Sequence, residues 1–152
     1  MNIIFLDIDG VLRTDKSDKE WSLKLGLPVP EKRYRNFSNK SVSNINFIHS
    51  ITRCKIVLIS NWRLHGTLDE LKDLFRKQGI QPEIIDKTGI STSRGEEILE
   101  WLSVNDDVDN WVVIDDQVKD LVSIDNSKIV KCDYKIGFED DLLVDKVLDV
   151  LI

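Results

Sequence analysis

Two aspartates, Asp7 and Asp9, stand two residues apart directly after the apolar run Ile3-Ile4-Phe5-Leu6 and just before Gly10. Two further apolar runs end in reactive groups. Ile56–Ile59 leads into Ser60-Asn61, and Trp111–Ile114 leads into Asp115-Asp116. If the three runs are neighbouring parallel strands, one rim receives four carboxylates and a hydroxyl. Such a concentration of like charge is costly unless a cation binds there. Oxygen-only ligands favour Mg²⁺, which keeps waters and takes one or two carboxylates together with a substrate phosphate. An aspartate in that setting can attack phosphorus and become an aspartyl-phosphate. A carboxyl two residues on can protonate the leaving oxygen and later deprotonate water. Gly10 lets the chain turn tightly past the cation. Ser60, the amide of Asn61 and the guanidinium of Arg94 can meet the charge on the transferring group.

The elements that must hold these residues are legible as alternating patterns. Short β-rich runs predict strands at Ile3–Leu6, Ile56–Ile59, Glu83–Ile85, Trp111–Ile114 and Lys128–Val130. Thr67-x-x-Glu70 reads as a capping box opening a helix that carries Leu68, Leu71, Leu74 and Phe75 and stops near Gly79. Ser93-x-x-Glu96 opens another with Ile98, Leu99 and Leu102, while Asn44–Arg53 and Asp141–Leu151 supply two more. Strands alternating with helices imply βαβ crossovers, hence a three-layer α/β domain on a five-stranded, mainly parallel sheet. Ligands bind such sheets beyond the carboxyl ends of the strands, where the strand order reverses.

The 152 residues fit one domain with one core, spanning residues 1–152. Cys54 and Cys132 lie in apolar runs with no metal-binding spacing to His49 or His65, and no disulfide between them is indicated. The opening Met1-Asn2-Ile3 lacks the basic flank and apolar length of a signal peptide, and no apolar run reaches about 18 residues. The expectation is a cytoplasmic protein with no membrane segment. Net charge is −6, but residues 13–40 carry eight basic residues against four acidic ones, leaving the rest strongly negative. This stretch shows no helical period and reads as a flap over the site. Its Lys32, Arg33 and Arg35 are candidate phosphate-holding residues, and Trp21, Tyr34 and Phe37 are candidates to stack on bases. A polyanionic substrate approaching one face would suit that asymmetry; ordinary loop packing would suit it as well.

The order of these segments resembles the haloacid dehalogenase (HAD) superfamily of phosphohydrolases over nearly the whole chain. Asp7-Ile8-Asp9-Gly10-Val11-Leu12 matches its first motif, Ser60 after a hydrophobic strand its second, Arg94 at a helix start its third, and Asp115-Asp116 with Asp120 its fourth. The resemblance implies Asp7 as nucleophile and metal ligand. It implies Asp9 as general acid/base, ligating through its backbone carbonyl, and Asp116 as a metal ligand supported by Asp115. Mg²⁺ is the implied cofactor. Ser60-Asn61-Trp62-Arg63 and the segment from Arg94 to Leu102 are similar to a smaller branch, the phosphatase domains of RNA repair proteins and phages. On that footing Asn61 and Arg63 join the candidate substrate contacts. Large caps have no room in the gaps between motifs, so the flap stands in their place over an open site.

These readings imply a phosphomonoesterase acting on DNA or RNA ends or on nucleotides. Three blander readings compete for single residues: Ser60 as a helix cap, Arg94 paired to Glu96 or Glu97, and Trp62 and Arg63 in structural roles. A calcium loop is excluded, because the sixth position counted from Asp7 is Leu12 where Gly is required. Two functional alternatives remain, a phosphoprotein phosphatase and a receiver-like phosphate-binding domain that would use Asp86 at the end of the third strand.

Overall fold

The computed structural model describes residues 1–29 and 36–152. Five strands form one sheet: β1 (Asn2–Leu6), β2 (Lys55–Leu58), β3 (Ile84–Lys87), β4 (Asn110–Asp115) and β5 (Ile129–Lys131). Their order is β3-β2-β1-β4-β5 with every pair parallel. The expected five-stranded α/β architecture is thus present, with strand boundaries displaced by one or two residues. In β1, the chain that leads towards β2 and β3 lies on one side and β4 on the other. The order reverses there, opening a crevice at the carboxyl ends of β1 and β4.

Burial follows the period of two along each strand. Ile4, Leu6, Ile56, Leu58, Val112 and Ile114 face one side and are fully buried. Helices α2 (Asn39–Thr52), α3 (Leu68–Lys77) and α5 (Asp141–Leu151) cover them with Ile45, Ile48, Phe75, Val144 and Val147. Ile3, Phe5, Val57, Ile59 and Val113 face the other side, under α4 (Arg94–Ser103) and the following Leu121 and Ile124. Strands buried on both faces read as continuous apolar runs, which is why the sequence locates them well.

The capping boxes behave as expected. Thr67 Oγ1 accepts from the Glu70 amide and Ser93 Oγ from the Glu96 amide, each opening its helix. The expected helix at Asn44–Arg53 starts five residues earlier, at Asn39, because Ser38 caps it and the polar Ser41 and Asn44 sit buried on its first turns. The larger departure lies in the stretch 13–40, expected to lack regular structure. It holds an 11-residue helix, α1 (Asp15–Leu25), capped by Thr14 and closed by Gly26 in a left-handed conformation. The signal was concealed because Ser17, not Glu or Gln, completes the capping box, and because α1 buries only Ser17 and Asp18 and so has no apolar stripe. Lys32, Arg33, Tyr34 and Arg35 lie outside the described residues.

Arg63, expected to touch substrate, serves the framework instead. It is 4 % exposed, and all five of its N–H groups are engaged. Nε donates to the Thr88 carbonyl at 3.1 Å, Nη1 to the carbonyls of Ile59 at 2.7 Å and Ser60 at 3.1 Å, and Nη2 to the Gly89 carbonyl at 3.3 Å and to Glu97 at 2.5 Å. The side chain therefore ties the end of β2, the loop after β3 and helix α4 into one block, with no donor left for a ligand. No helix among the described residues is long and apolar enough to cross a membrane. Replacing Arg63 by Ala strands the buried Glu97 carboxylate and should lower stability by about 3–5 kcal/mol. Urea unfolding should show the share due to the stranded carboxylate restored in the double variant Arg63→Met, Glu97→Leu, with a remainder because four carbonyls still lack their donor.

Candidate active site

The acidic residues meet where the topology requires. Leu6 pairs with Ile114 in register, and the Asp7 amide donates to the Ile114 carbonyl at 3.1 Å, so Asp7 and Asp115 emerge side by side from β1 and β4. Carboxylate oxygens of Asp7, Asp115 and Asp116 lie within 4.8 Å of one another. Gly10, at φ +78°, makes that proximity possible: a Cβ there would sit 2.4 Å from the Asp116 carboxyl. Asp116 occupies the space a side chain at position 10 would need.

Arg94 closes the cluster from the other side. It is the first residue of α4, and its guanidinium donates to Asp115 Oδ2 at 2.8 Å and approaches Asp7 Oδ2 at 3.6 Å. Its backbone amide donates to Asp120 at 2.9 Å. Gly95 lets the helix start approach this segment, since a Cβ would meet Ser123 Oγ at 2.3 Å. Arg94 thus pairs across the sheet edge with Asp115 and Asp7, not with Glu96 or Glu97 on its own helix. The other oxygen of Asp115 accepts from the Gln117 amide at 3.1 Å. Asp115 is completely buried with both oxygens held, which fits a support behind the cluster better than a freely exchanging ligand.

Asp9 stands at the half-open edge with each carboxylate oxygen held by a donor, Oδ1 by Arg13 Nε at 2.7 Å and Oδ2 by Trp62 Nε1 at 3.0 Å. Arg13 is itself buried and held by Asp18. Ser60 caps the short 3₁₀ turn that begins at Asn61, its Oγ accepting from the Trp62 amide at 3.2 Å, while Asn61 is exposed. The capping role and the place at the rim are therefore both real. Trp62 likewise combines two roles, packing against Phe37 and orienting Asp9.

Arg13 and Asp18 were read only as part of a charged flap; their i, i+4 and i, i+9 spacings from Asp9 carry no periodic signal. Other flap features also turn inward. Phe37 is core, stacked edge-on against Phe75, and Trp21 donates to the Phe37 carbonyl under the Lys24 ammonium. Lys16 pairs with Glu139 and Lys40 with Asp141. Asp86, the receiver-like alternative, accepts from Trp101 Nε1 at 2.7 Å near the sheet edge, away from the acidic cluster.

In front of the cluster lies a cleft of about 380 Å³, lined by Asp9, Arg13, Asp116 and Tyr134 among others. Burial, then the neighbouring charge of Asp115, pushes the Asp7 carboxyl from 3.8 up to about 8, against the pull of Arg94. Burial and Asp115 also raise Asp116. The donor set fits a hard divalent cation: oxygen ligands only, converging, and expensive to ionise together without positive charge. The raised values also set a stability slope. Folded Asp7 keeps a proton that the unfolded chain releases, so metal-free stability should fall as pH rises from about 4 to 8. In urea unfolding with a chelator, Asp7→Asn should flatten that slope and stabilise the protein at pH 8 by on the order of 1–2 kcal/mol.

The model of a family described as the HAD domain in Swiss Army Knife RNA repair proteins covers residues 3–143. No curated protein and no solved structure matches the chain significantly. The matched span runs from the first residues of β1 into α5 and includes every residue of the acidic cluster together with Ser60 and Arg94. By this match over nearly its whole length, the chain belongs to the HAD domains of Swiss Army Knife RNA repair proteins, a phosphatase-type fold of the haloacid dehalogenase superfamily.

Proposed function

We propose that this domain is a Mg²⁺-dependent phosphomonoesterase acting on nucleic acid ends or nucleotides. The observation that carries the reading is the convergence of Asp7, Asp116 and Arg94 at the β1/β4 switch point, with Asp9 oriented at the mouth of the cleft. Asp7 and Asp116, with the backbone carbonyl of Asp9, would hold the cation, and Asp115 would brace them. When bound, Mg²⁺ neutralises the carboxylates and polarises the phosphoryl oxygens.

The chain's own groups then have distinct tasks. The Asp7 carboxylate attacks phosphorus, and the bond from phosphorus to the leaving oxygen breaks as the new Asp7 oxygen bond forms. Asp9 gives its proton to that leaving oxygen, and Arg13 and Trp62 fix the orientation of its carboxyl. In the second step Asp9 takes a proton from water, whose oxygen attacks the same phosphorus and releases inorganic phosphate and free Asp7. Arg94 and the Ser60 hydroxyl meet the negative charge on the phosphoryl oxygens. Nucleic acid ends are favoured as substrates by the family's description and by the open cleft.

The test is phosphate release from 3′- and 5′-phosphorylated oligonucleotides, mononucleotides and phosphopeptides, with Mg²⁺ or with chelator. Wild type should release phosphate from oligonucleotides or nucleotides only with Mg²⁺. Asp7→Asn should abolish turnover, and Asp9→Asn should lower kcat by about 10²–10⁴. Release from phosphopeptides alone would transfer the assignment to the phosphoprotein class, and release from none would overturn it.

A further inference from the structure

Two flap aromatics that could have gripped a base, Trp21 and Phe37, are spent on packing, and an exposed aromatic from elsewhere in the chain lines the cleft. Tyr134 is 62 % exposed and lines the same cleft as Asp9 and Asp116. It sits at the tip of a tight turn between β5 and α5, and the turn is anchored at both ends to the catalytic segments. Before it, the Cys132 amide donates to the Asp115 carbonyl at 2.9 Å. After it, the Phe138 amide donates to the Val11 carbonyl at 2.8 Å, and Gly137, at φ +64°, lies so close to Val11 that a Cβ would approach its carbonyl oxygen to 2.3 Å. Within the turn, Asp133 Oδ1 accepts from the Lys135 amide and the Asp133 carbonyl accepts from Ile136 and Gly137. The backbone beneath Tyr134 is therefore fixed, while its ring is held by no hydrogen bond or ring contact among the described residues.

Position and charge together say what such a ring can do. Asp9, the group that protonates the leaving oxygen, faces the cleft, so the leaving group occupies the cleft beside Tyr134. The lining cation among the described residues, Arg13, is already engaged by Asp9 and Asp18, so the described wall has no idle charge to offer a second phosphate. Tyr134 is the aromatic among the described lining residues, and its ring suits a neutral, flat part of the substrate.

We infer that Tyr134 is a stacking platform for the base of the nucleotide that carries the scissile phosphate, making this domain a reader of the terminal nucleotide. The inference rests on the phosphatase reading and adds the residue that selects the leaving group. A ring stacked on a base is worth about tenfold or more in affinity and does not depend on charge. It therefore predicts a KM effect that is confined to substrates with a base and persists at high salt.

The experiment compares wild type, Tyr134→Phe and Tyr134→Ala on adenosine 3′- and 5′-monophosphate, on glycerol 2-phosphate, which lacks a base, and on a phosphotyrosine peptide, at low and high salt. Tyr134→Ala should raise KM for the nucleotide hydrolysed by about tenfold, with kcat nearly unchanged and the same ratio at both salt concentrations. Tyr134→Phe should keep the wild-type KM, and all three proteins should turn over glycerol phosphate equally. Equal loss on glycerol phosphate, an unchanged nucleotide KM in Tyr134→Ala, or a Tyr134 effect seen only on the phosphotyrosine peptide would overturn the stacking role. Wild-type turnover of glycerol phosphate without preference for nucleotides would overturn it while leaving the phosphatase reading intact; no turnover of any of these substrates or of the phosphorylated oligonucleotides would remove both.

Discussion

Asp7, Asp115 and Asp116 are forced together at the carboxyl edge of β1 and β4, and the surrounding chain is arranged to make that crowding tolerable. Left alone in a buried crevice, three carboxylates would expel one another or take up protons, as the raised Asp7 and Asp116 values show. Arg94 supplies one fixed positive charge, and the N-terminus of α4, on which it sits, adds the positive end of a helix dipole. A divalent cation would supply the remainder. Stability is thus sacrificed at the point where the chemistry needs a carboxylate that is nucleophilic only in the right company.

The supporting parts form two groups that act on different atoms. Arg63, Glu97 and the carbonyls of Ile59, Ser60, Thr88 and Gly89 lock the end of β2 to α4, so the Ser60 turn and the Arg94 helix keep one relative position. Arg13, Asp18 and Trp62 lock Asp9 from the opposite direction. A buried ion pair gives little net stability, so geometry is the better explanation for keeping both of them. Glycine enters the design where backbone must approach a side chain: Gly10 yields to Asp116, and Gly137 brings the Tyr134 turn against Val11.

The segment after β1 changes meaning once folded. Its surplus of basic residues suggested a charged lid, yet Arg13, Lys16, Lys24 and Lys40 all contact acidic or aromatic partners within the domain. Salt-dependent attraction to an extended polyanion therefore has fewer described contributors than the charge count implied. The open side of the cleft carries Tyr134, contributed by a loop more than a hundred residues later in the chain.

What the sequence determined by itself was the set of elements and the residues that end them. Strands buried on both faces must be apolar throughout, and helices must be capped, so β1, β2, β4, α3 and α4 are written locally in Phe5, Val57, Val113, Thr67 and Ser93. The paired aspartates and their place at strand ends followed directly. Tertiary structure alone decided which polar residues face substrate and which face each other. Arg63 and Arg94 are both arginines near a motif, but one finds four carbonyls and Glu97 around it and the other finds Asp7 and Asp115. Helix α1 was hidden because a helix that buries only Ser17 and Asp18 leaves no periodic apolar trace. Tyr134 was invisible for a related reason: exposure beside a distant carboxylate is created by the packing of Gly137 on Val11, and no local pattern records it.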